Sequence, residues 1–541
     1  MHSLIYKVFT RKYSLSLQAD ALLYLSDVIK QNEMTQTDAA KWLEVLADTW
    51  AKREEGRPLV ELAPLKELVA AVISGTSNGL VTAGTAIPGG DATNKPSSGS
   101  DLFTVIDAFD VPAWWYDPGK KMFTQPFGGD TDILASAEAK AALFRQRYDL
   151  LKQRVMRNEN FMPVSFSDQE KDRFYKLSTI DSLQGREGEH FLIFGMLSQL
   201  EEGKLFLEDK AGSIQLDFSE LSQRQATVNG LFTESCFVLI DGYVEDGVLK
   251  VEEIGLPPSE SKEKTKSAFP NVNLFGGQPS LRTETQLRAI EVANDNGIIV
   301  MSDVWLDKQE TMDALSTLFE GFSHSTPPIA FIFIGDFSSK PFVPGSGETA
   351  QYRDNMTALG QLIAGFPDIA RQSHFVFVPG NNDPWGQGAL PKPPIAEYFT
   401  KRLASRLANV SFTTNPCRIK YCTHEIVVFR EDLLKRIRRN SILPPVEGTE
   451  IVKHLVRTVV DEGHLCPLPQ RIRPIYWAHD HAMRVYPIPD VLILADRFDS
   501  YSINYEGCHC INPGSFSAGD LSFFMYYPVS RTSQYSRIPK K

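Results

Sequence analysis

The chain has 541 residues, 42% of them hydrophobic and 11% aromatic, which suffices for roughly two to four packed domains. Its formal net charge of −11 argues against tight binding of nucleic acid by the chain alone, because such binding needs Lys and Arg side chains that neutralise phosphates. We see no apolar run that could cross a membrane and no secretory signal, so we expect an intracellular protein. Its six cysteines are too few for a disulfide framework and are expected to be buried free thiols.

The N-terminal segment, residues 1–73, is predicted to be a small bundle of helices. Apolar residues recur there at steps of three and four positions, which is the period of a helix with one buried face. The first such stripe consists of Ala21, Tyr24, Leu25, Val28 and Ile29. Residues 74–100 are dominated by Gly, Ser, Thr and Pro and have no periodicity, which indicates a flexible linker.

The next two segments are predicted to lead into and form a β-barrel. Residues 101–174 should contain a hairpin from Phe103 to Met122, turning at 117–120, and a long helix over 132–157. Residues 175–257 contain five or six short strands separated by Gly and Asp turns, a pattern typical of an OB-fold barrel. Many acidic residues lie in these strands, which favours a structural barrel over a module that binds single-stranded DNA.

The C-terminal part begins with a polar connector, residues 258–296, and continues as an α/β domain over 297–541. Apolar strands alternate there with amphipathic helices, and the strands are continuous runs of Val, Ile and Phe. Such runs indicate strands that are covered on both faces. The predicted fold class is therefore multidomain α+β.

Three strands of the α/β domain end in a polar signature. The pairs are Asp303 with Trp305, Asp336 with Ser339, and Asn381 with Asn382. Because functional groups of α/β sheets gather at the carboxyl ends of strands, these residues should meet at one edge. Their spacing resembles the calcineurin-like metallophosphoesterase pattern, in which carboxylates, an amide and several imidazoles hold two metal ions that clamp a phosphate.

Several positions of that pattern carry unsuitable side chains. Trp305 stands where the resemblance expects an imidazole ligand, Ser339 at the second acidic position, and Asn382 at the acid histidine. The closing Gly-His-x-His is replaced by residues 495–498, so that Asp496 and Phe498 stand at its two histidines. The matching residues are Asp303, Asp336 and Asn381. We therefore predict a calcineurin-like phosphoesterase sandwich with an inactivated site: no catalytic residue, no metal and no cofactor.

Three other features could suggest a metal or a charge at this site. Arg497 could place a positive charge near the vacated metal position. Residues 479–481 offer two histidines, but without further ligands they are expected in a surface turn or a packed strand. On a strand, Cys508 and Cys510 share one face and His509 points away, which does not assemble a tetrahedral zinc site.

An OB barrel followed by a dismantled phosphoesterase fold resembles the B-subunits of eukaryotic replicative DNA polymerases. Local sequences and the helical N-terminal segment resemble the epsilon-type branch of that family. The sequences concerned are residues 467–470, 474–477, 484–490 and 511–516. Two alternatives remain open at this point: a B-subunit of another replicative polymerase, and an active metal-dependent phosphoesterase or nuclease.

The resemblance implies a non-catalytic accessory subunit that acts in nuclear DNA replication. It implies that the barrel and the phosphoesterase-like domain hold the zinc-binding C-terminal region of the catalytic subunit of DNA polymerase epsilon. It also implies that the N-terminal domain, which resembles the lid domain of AAA+ ATPases, contacts the replicative helicase through GINS. Further implied partners are the smaller histone-fold polymerase subunits and DNA as part of the complex.

One basic cluster could touch DNA directly. It consists of Lys435, Arg436, Arg438 and Arg439. A solvated helix face or an acidic protein partner is the favoured alternative. If the cluster binds DNA, its neutralisation should reduce the salt dependence of DNA affinity.

Overall fold

The computed structural model divides the chain into two compact units. The smaller comprises Met1–Thr104, Gly277–Asp295 and Ile419–His424, and the larger comprises the remainder. The structure describes residues 2–13, 15–31, scattered positions between 39 and 69, 102–125, 133–162, 175–223, 229–280, 282–345, 347–384, 388–444 and 450–539. Among these residues, no helix is both long and apolar enough to cross a membrane.

The N-terminal part of the smaller unit is mainly helical where it is described. It contains the helices α1 (His2–Tyr6) and α2 (Ala19–Gln31), a π-helical turn (Lys7–Lys12), and the strands β1 (Ser16–Leu17) and β2 (Leu59–Val60). In α2 the predicted stripe faces the core, with four of its five residues buried and Tyr24 half-buried. The parallel pairing of β1 with β2 was not predicted. The predicted linker, residues 74–100, lies outside the described residues.

The predicted hairpin exists but is shorter than expected. The elements of this region are β3 (Phe103–Asp107), β4 (Trp115–Asp117), β5 (Met122–Thr124) and α3 (Ala137–Met156). Only β4 and β5 pair, with Asp117 opposite Met122 and its carboxylate accepting hydrogen bonds from the backbone of Gly119 and Lys120. The prediction that Phe103 takes part in the hairpin is wrong, because β3 joins a sheet of the C-terminal domain instead.

A closed barrel follows α3 in the chain. Its elements are β6 (Leu177–Ser178), β7 (His190–Glu201), β8 (Lys204–Glu208), β9 (Ser213–Asp217), the short helix α4 (Ser219–Gln223), β10 (Phe237–Glu245) and β11 (Val248–Gly255). The strand order is β10-β11-β9-β8-β7-β6, and β10 also pairs with β7. That last pairing closes the barrel, and small barrels of this kind include the five-stranded OB-fold.

Two six-stranded sheets form the C-terminal domain. Besides β3, their strands are β12 (Ile298–Ser302), β13 (Ala330–Ile334), β14 (His374–Val378), β15 (Val410–Phe412), β16 (Cys417–Tyr421), β17 (His424–Arg430), β18 (Val491–Ala495), β19 (Tyr501–Tyr505), β20 (Cys508–Asn512), β21 (Ser522–Tyr527) and β22 (Thr532–Arg537). One sheet has the order β15-β14-β13-β12-β21-β22 and the other β19-β20-β18-β17-β16-β3. All residues of β12, β13 and β18 are buried, as their apolar sequences predicted.

Further helices follow the barrel in the chain. They are α5 (Lys262–Ala268), α6 (Glu284–Ala293, in the smaller unit), α7 (Gln309–Ser323), α8 (Glu348–Ala364), α9 (Pro367–Gln372), α10 (Glu397–Ala404), α11 (Leu433–Arg439) and α12 (Ile451–Asp461). The apolar faces of α7, α8 and α10 pack on the first sheet, around a ladder of stacked phenylalanines that includes Phe331, Phe333 and Phe377. The second sheet packs against α11 and α12.

Buried polar side chains connect α3 and the barrel to the C-terminal domain; we call Arg147, His464, Asp480 and Glu462 the barrel junction. The Arg147 guanidinium on α3 binds the Asp480 carboxylate, with Nη2 2.5 Å from Oδ1, and His464 Nε2 lies 3.2 Å from the same oxygen. The Glu462 carboxylate, just after α12, accepts a hydrogen bond of 3.1 Å from the backbone of Phe237 on β10. Asp480 belongs to a buried 3-10 helix, so the expected surface turn or strand at residues 479–481 is wrong.

All six cysteines are free thiols, as predicted, and all but the half-buried Cys422 are buried. Cys508 and Cys510 lie on one face of β20, with their sulfurs 3.8 Å apart. Burial raises the pKa of the Cys508 thiol, so this thiol stays protonated while the sheet is intact.

Candidate functional site

The carboxyl ends of β12 and β13 place two carboxylates side by side. Asp303 and Asp336 are each 1% exposed, and the backbone N–H of Asp336 donates to Asp303 Oδ1 over 3.1 Å. The loops at the ends of β13 and β14 approach so closely that a side-chain carbon at Gly335 would overlap Asp383 and the backbone of Gly380. Glycine at this position therefore brings the two loops together and fixes the position of Asp336.

A fully buried arginine from the other sheet meets these carboxylates. Arg430 is the last residue of β17, and its Nη2 donates to Asp303 Oδ1 over 2.9 Å. Its Nε donates to the carbonyl of Gly335 over 2.9 Å, and its Nη1 donates to Asp432 Oδ1 over 2.8 Å. The guanidinium thus joins the strand ends of both sheets through charge-assisted hydrogen bonds.

A second arginine completes the group; we call Asp303, Asp336, Arg430 and Arg497 the strand-end cluster. Arg497 follows β18, and its Nε donates to Asp303 Oδ2 over 3.0 Å while its Nη2 donates to Asp336 Oδ2 over 2.5 Å. Its side chain is 39% exposed, whereas that of Arg430 is 1% exposed. The cluster therefore has one buried guanidinium and one that reaches the surface.

The arginines offset the cost of burying two neighbouring carboxyls. Burial and the nearby charge of Asp383 raise the pKa of Asp336 to about 7, and Arg430 opposes this rise. Burial by itself would lower the pKa of Arg430, but the carboxylates of Asp303, Asp336 and Asp432 outweigh burial and raise it. Ionisation of Asp336 therefore depends on its cationic neighbours.

These residues do not fit a dinuclear metal site. Three of the four carboxylate oxygens of Asp303 and Asp336 accept hydrogen bonds from guanidiniums, and the fourth accepts one from the backbone of Asn382. The two guanidiniums supply the positive charge that metal ions would bring. Within the described residues, no three His, Cys, Asp or Glu side chains are grouped so that they could hold a metal ion.

The other predicted positions lie outside the cluster. Ser339 is half-buried, and its hydroxyl donates to Asp307 Oδ2 over 2.5 Å. Asn381 is exposed, and its side-chain oxygen accepts a hydrogen bond from Arg473. Asp496 accepts a hydrogen bond of 2.8 Å from the backbone of Leu434, so its carboxylate stabilises the first turn of α11.

The two aromatic positions have different environments. Trp305 is half-buried, and its backbone N–H donates to Ser517 Oγ over 2.8 Å, while its indole N–H has no hydrogen-bond partner among the described residues. Phe498 is 38% exposed and lies beside α11. Of the eight positions compared with the phosphoesterase pattern, the structure brings together Asp303, Asp336 and the backbone of Asn382.

Sequence reasoning missed Arg430 and the residues that hold the strand-end loops. Asp383 is buried and accepts hydrogen bonds from the backbone of Phe337 and Gly380, and Lys392 Nζ donates to the carbonyl of Asp383 over 2.7 Å. One signal was available, because Arg430 ends an apolar strand, where a charged side chain must find a partner or leave the core. Nothing near Lys392 in the sequence indicates its partner.

The basic cluster divides into an inner and an outer part. Arg436 is half-buried, and its Nε donates to the buried Glu431 over 2.8 Å. Lys435, Arg438 and Arg439 are exposed on α11 and line a cleft of about 700 Å³. The remaining lining residues are Asp432, Leu434, Ile451, Asp496, Arg497 and Phe498. We call this cleft, which borders the strand-end cluster, the basic cleft.

Comparisons with known proteins identify the family. A family model for the B-subunit of DNA polymerases alpha and epsilon matches residues 298–502, and one described as DNA polymerase epsilon subunit 2-like, OB-fold domain, matches residues 137–258. DNA polymerase epsilon subunit 2 of Bos taurus is 38% identical over 535 residues, covering 97% of this chain and 96% of that protein. The chain belongs to the DNA polymerase epsilon subunit 2 family. The resemblance to the epsilon-type branch is thereby confirmed.

The same family relationship extends to other relatives. DNA polymerase epsilon subunit 2 of Homo sapiens is 40% identical over 447 residues, covering 81% of this chain and 84% of that protein. The predicted OB-fold is confirmed by the barrel family model and by the closed strand order. Among solved structures, an archaeal phosphodiesterase covers 44% of this chain and 99% of its own, with 11% identity and a TM-score of 0.25, which is too distant to bear on the site.

Proposed function

We propose that the chain is a non-catalytic accessory subunit of DNA polymerase epsilon. The observation that carries the absence of catalysis is the strand-end cluster, in which Arg430 and Arg497 engage the carboxylates of Asp303 and Asp336. We further propose that the two-sheet domain is a calcineurin-like phosphoesterase sandwich whose strand-end site serves structure. Charged pairs that already neutralise each other leave no ligand set for metal-assisted hydrolysis.

Metal analysis and a hydrolysis assay separate this proposal from the alternative of an active phosphoesterase. Purified full-length protein, incubated with Mn²⁺ and then desalted, should retain no stoichiometric metal. It should also hydrolyse bis(p-nitrophenyl) phosphate no faster than an Asp336→Ala variant. Retained metal together with hydrolysis that this substitution abolishes would establish the phosphoesterase instead.

The proposed scaffold holds the zinc-binding C-terminal region of the polymerase catalytic subunit. The support is the family relationship over 97% of the chain, together with a barrel and a sandwich fixed to each other by the barrel junction. Smaller histone-fold subunits and DNA complete the proposed nuclear complex. Affinity purification from nuclear extract should recover one much larger polymerase polypeptide in stoichiometric amount, whereas a monodisperse monomer without a partner would contradict the proposal.

The N-terminal domain, residues 1–73, is the proposed link to the replicative helicase through GINS, with residues 74–100 as a tether. Its support is a hydrophobic core of its own, which includes Ile5, Phe9 and Leu25. A chain without residues 1–73 should lose GINS while it still co-purifies with the catalytic polymerase subunit. Retention of GINS by the shortened chain would place the helicase contact elsewhere.

A further inference from the structure

The outer face of α11 carries three cations that are not used by the fold. Lys435, Arg438 and Arg439 are spaced three and four residues apart, so their side chains share one side of the helix. All three are exposed, and none has an ionic partner in the part of the chain that the structure describes. Arg436 on the same helix differs from them, because it forms an ion pair with the buried Glu431 and so contributes to the fold.

The two acidic residues of the basic cleft do not cancel these charges. Asp432 accepts hydrogen bonds from Arg430 and from the backbone of Arg497, and Asp496 accepts one from the backbone of Leu434. Burial raises the pKa of Asp496 to about 6, which further weakens its negative charge in mildly acidic solution. The cleft therefore presents a net positive field to a ligand.

Apolar side chains line the same cleft. Leu434 and Ile451 face it, and Phe498 is 38% exposed there although it is a large hydrophobic residue. An exposed aromatic side chain that lines a cleft together with apolar residues and cations can anchor one hydrophobic side chain of a ligand. The ligand chemistry must then combine negative charge with an apolar group.

We propose that the basic cleft binds an acidic linear peptide segment of a partner protein, with one apolar anchor residue seated on Phe498. Charge complementarity selects the carboxylates, because Lys435, Arg438 and Arg439 are free to pair with them. This proposal does not depend on the proposed polymerase function.

Two observations favour a peptide over a nucleic acid strand. The cleft volume of about 700 Å³ accommodates only a few residues, whereas non-specific binding of nucleic acid draws on many phosphates along a basic track. The chain as a whole carries a net charge of −11, which repels a long polyanion beyond the cleft. A few carboxylates next to a leucine or phenylalanine suit the short cationic row and its apolar lining better.

Fluorescence polarisation with the full-length chain tests the proposal. The probe is a short fluorescein-labelled peptide in which glutamates flank one leucine. Combined replacement of Lys435, Arg438 and Arg439 by alanine should weaken its binding about tenfold or more. The matched control replaces the exposed Lys401, Arg402 and Arg406 by alanine, which changes the net charge equally but should alter binding less than about twofold.

A second variant examines the apolar contact without changing any charge. Phe498→Ser should weaken binding of the leucine peptide and leave unchanged the binding of a peptide with serine in place of leucine. Both variants are checked by circular dichroism, so that a misfolded chain is not scored. Absence of binding, or equal losses in the two triple variants, would overturn the proposal. Tighter binding of an oligothymidylate of equal charge, lost in the cleft variant, would replace it with a nucleic acid site.

Discussion

The strand-end cluster and the barrel junction are both groups of titratable side chains in the larger unit, and most of these side chains are buried. In the strand-end cluster, two carboxylates from one sheet meet two arginines from the other. In the barrel junction, Arg147 of α3 meets Asp480 of the C-terminal domain. Both groups connect layers that the chain forms separately, so paired charges fix how these layers sit together.

The two groups differ in how far they are closed to water. The side chains of Arg147 and Asp480 are 5% and 3% exposed, whereas Arg497 of the strand-end cluster is 39% exposed and borders the basic cleft. A buried ion pair such as that of Arg147 and Asp480 can only stabilise the fold, because no ligand reaches it. A group that opens into a cleft can stabilise the fold and still influence what binds next to it.

The largest effect is expected from Arg430→Met. Loss of this guanidinium leaves Asp303 and Asp432 without their main buried partner, which should reduce the free energy of unfolding by about 3–5 kcal/mol. Urea denaturation followed by tryptophan fluorescence measures it. Adding Asp303→Asn removes one stranded charge and keeps an acceptor for the backbone of Asp336, so the double variant should regain part of the loss. A double variant as unstable as the single one would refute the paired-charge explanation.

At the barrel junction, Arg147→Met should cost about 3 kcal/mol of unfolding free energy. The effect should be somewhat smaller than that of Arg430→Met, because His464 can still donate a hydrogen bond to Asp480. Limited proteolysis should show faster cleavage between the barrel and the C-terminal domain. Arg145→Met on the same helix is the control, and equal sensitivity of the two variants would show that the junction does not hold the barrel.

Glu462 should give the molecule a distinct pH dependence. Burial raises the pKa of Glu462 to about 8, although the hydrogen bond from Phe237 opposes the shift. Since the folded state keeps this proton above pH 4.5, where the unfolded chain releases it, stability falls as pH rises towards about 8, by at most about 1.4 kcal/mol per pH unit. Glu462→Gln should flatten this part of the curve of Tm against pH. An unchanged slope would contradict a protonated Glu462.

The smallest effect is expected from Arg497→Met, which should reduce the free energy of unfolding by about 1 kcal/mol or less. This guanidinium is partly solvated, and Arg430 remains in place. The loss should shrink further at high salt, unlike that of Arg430→Met. Urea denaturation at low and high ionic strength measures both. If Arg497→Met cost as much as Arg430→Met, the contrast between an open and a closed charge would not hold within the strand-end cluster.

Much of the secondary structure could be predicted because each apolar run carries its own period. The predicted apolar strands of residues 297–541 correspond to β12, β13, β14, β17 and β18, and the amphipathic segments between them correspond to α7, α8 and α10. Their division between two sheets could not be predicted, since a run of Val, Ile and Phe is equally buried in either. The same limit explains β3, whose sequence suits a hairpin as well as the edge of a distant sheet.

The sequence predicted the carboxylates of the candidate site, but it did not predict which cations pair with them. Asp303 and Asp336 could be found because they follow their strands at a recognisable spacing. Arg430 is 127 residues from Asp303 in sequence, and Arg147 is 333 residues from Asp480. Such pairings depend on how whole layers pack, and no local period encodes them.

The rate at which a reagent labels the two thiols on β20 reports how often the second sheet opens. Cys508 and Cys510 are buried, so an alkylating reagent reaches them when β20 separates from β18 and β19. The half-buried Cys422 should be labelled earlier and serves as the internal reference. Mass spectrometry of the two labelling rates would thus report local unfolding of the sandwich in the assembled protein, without any substitution.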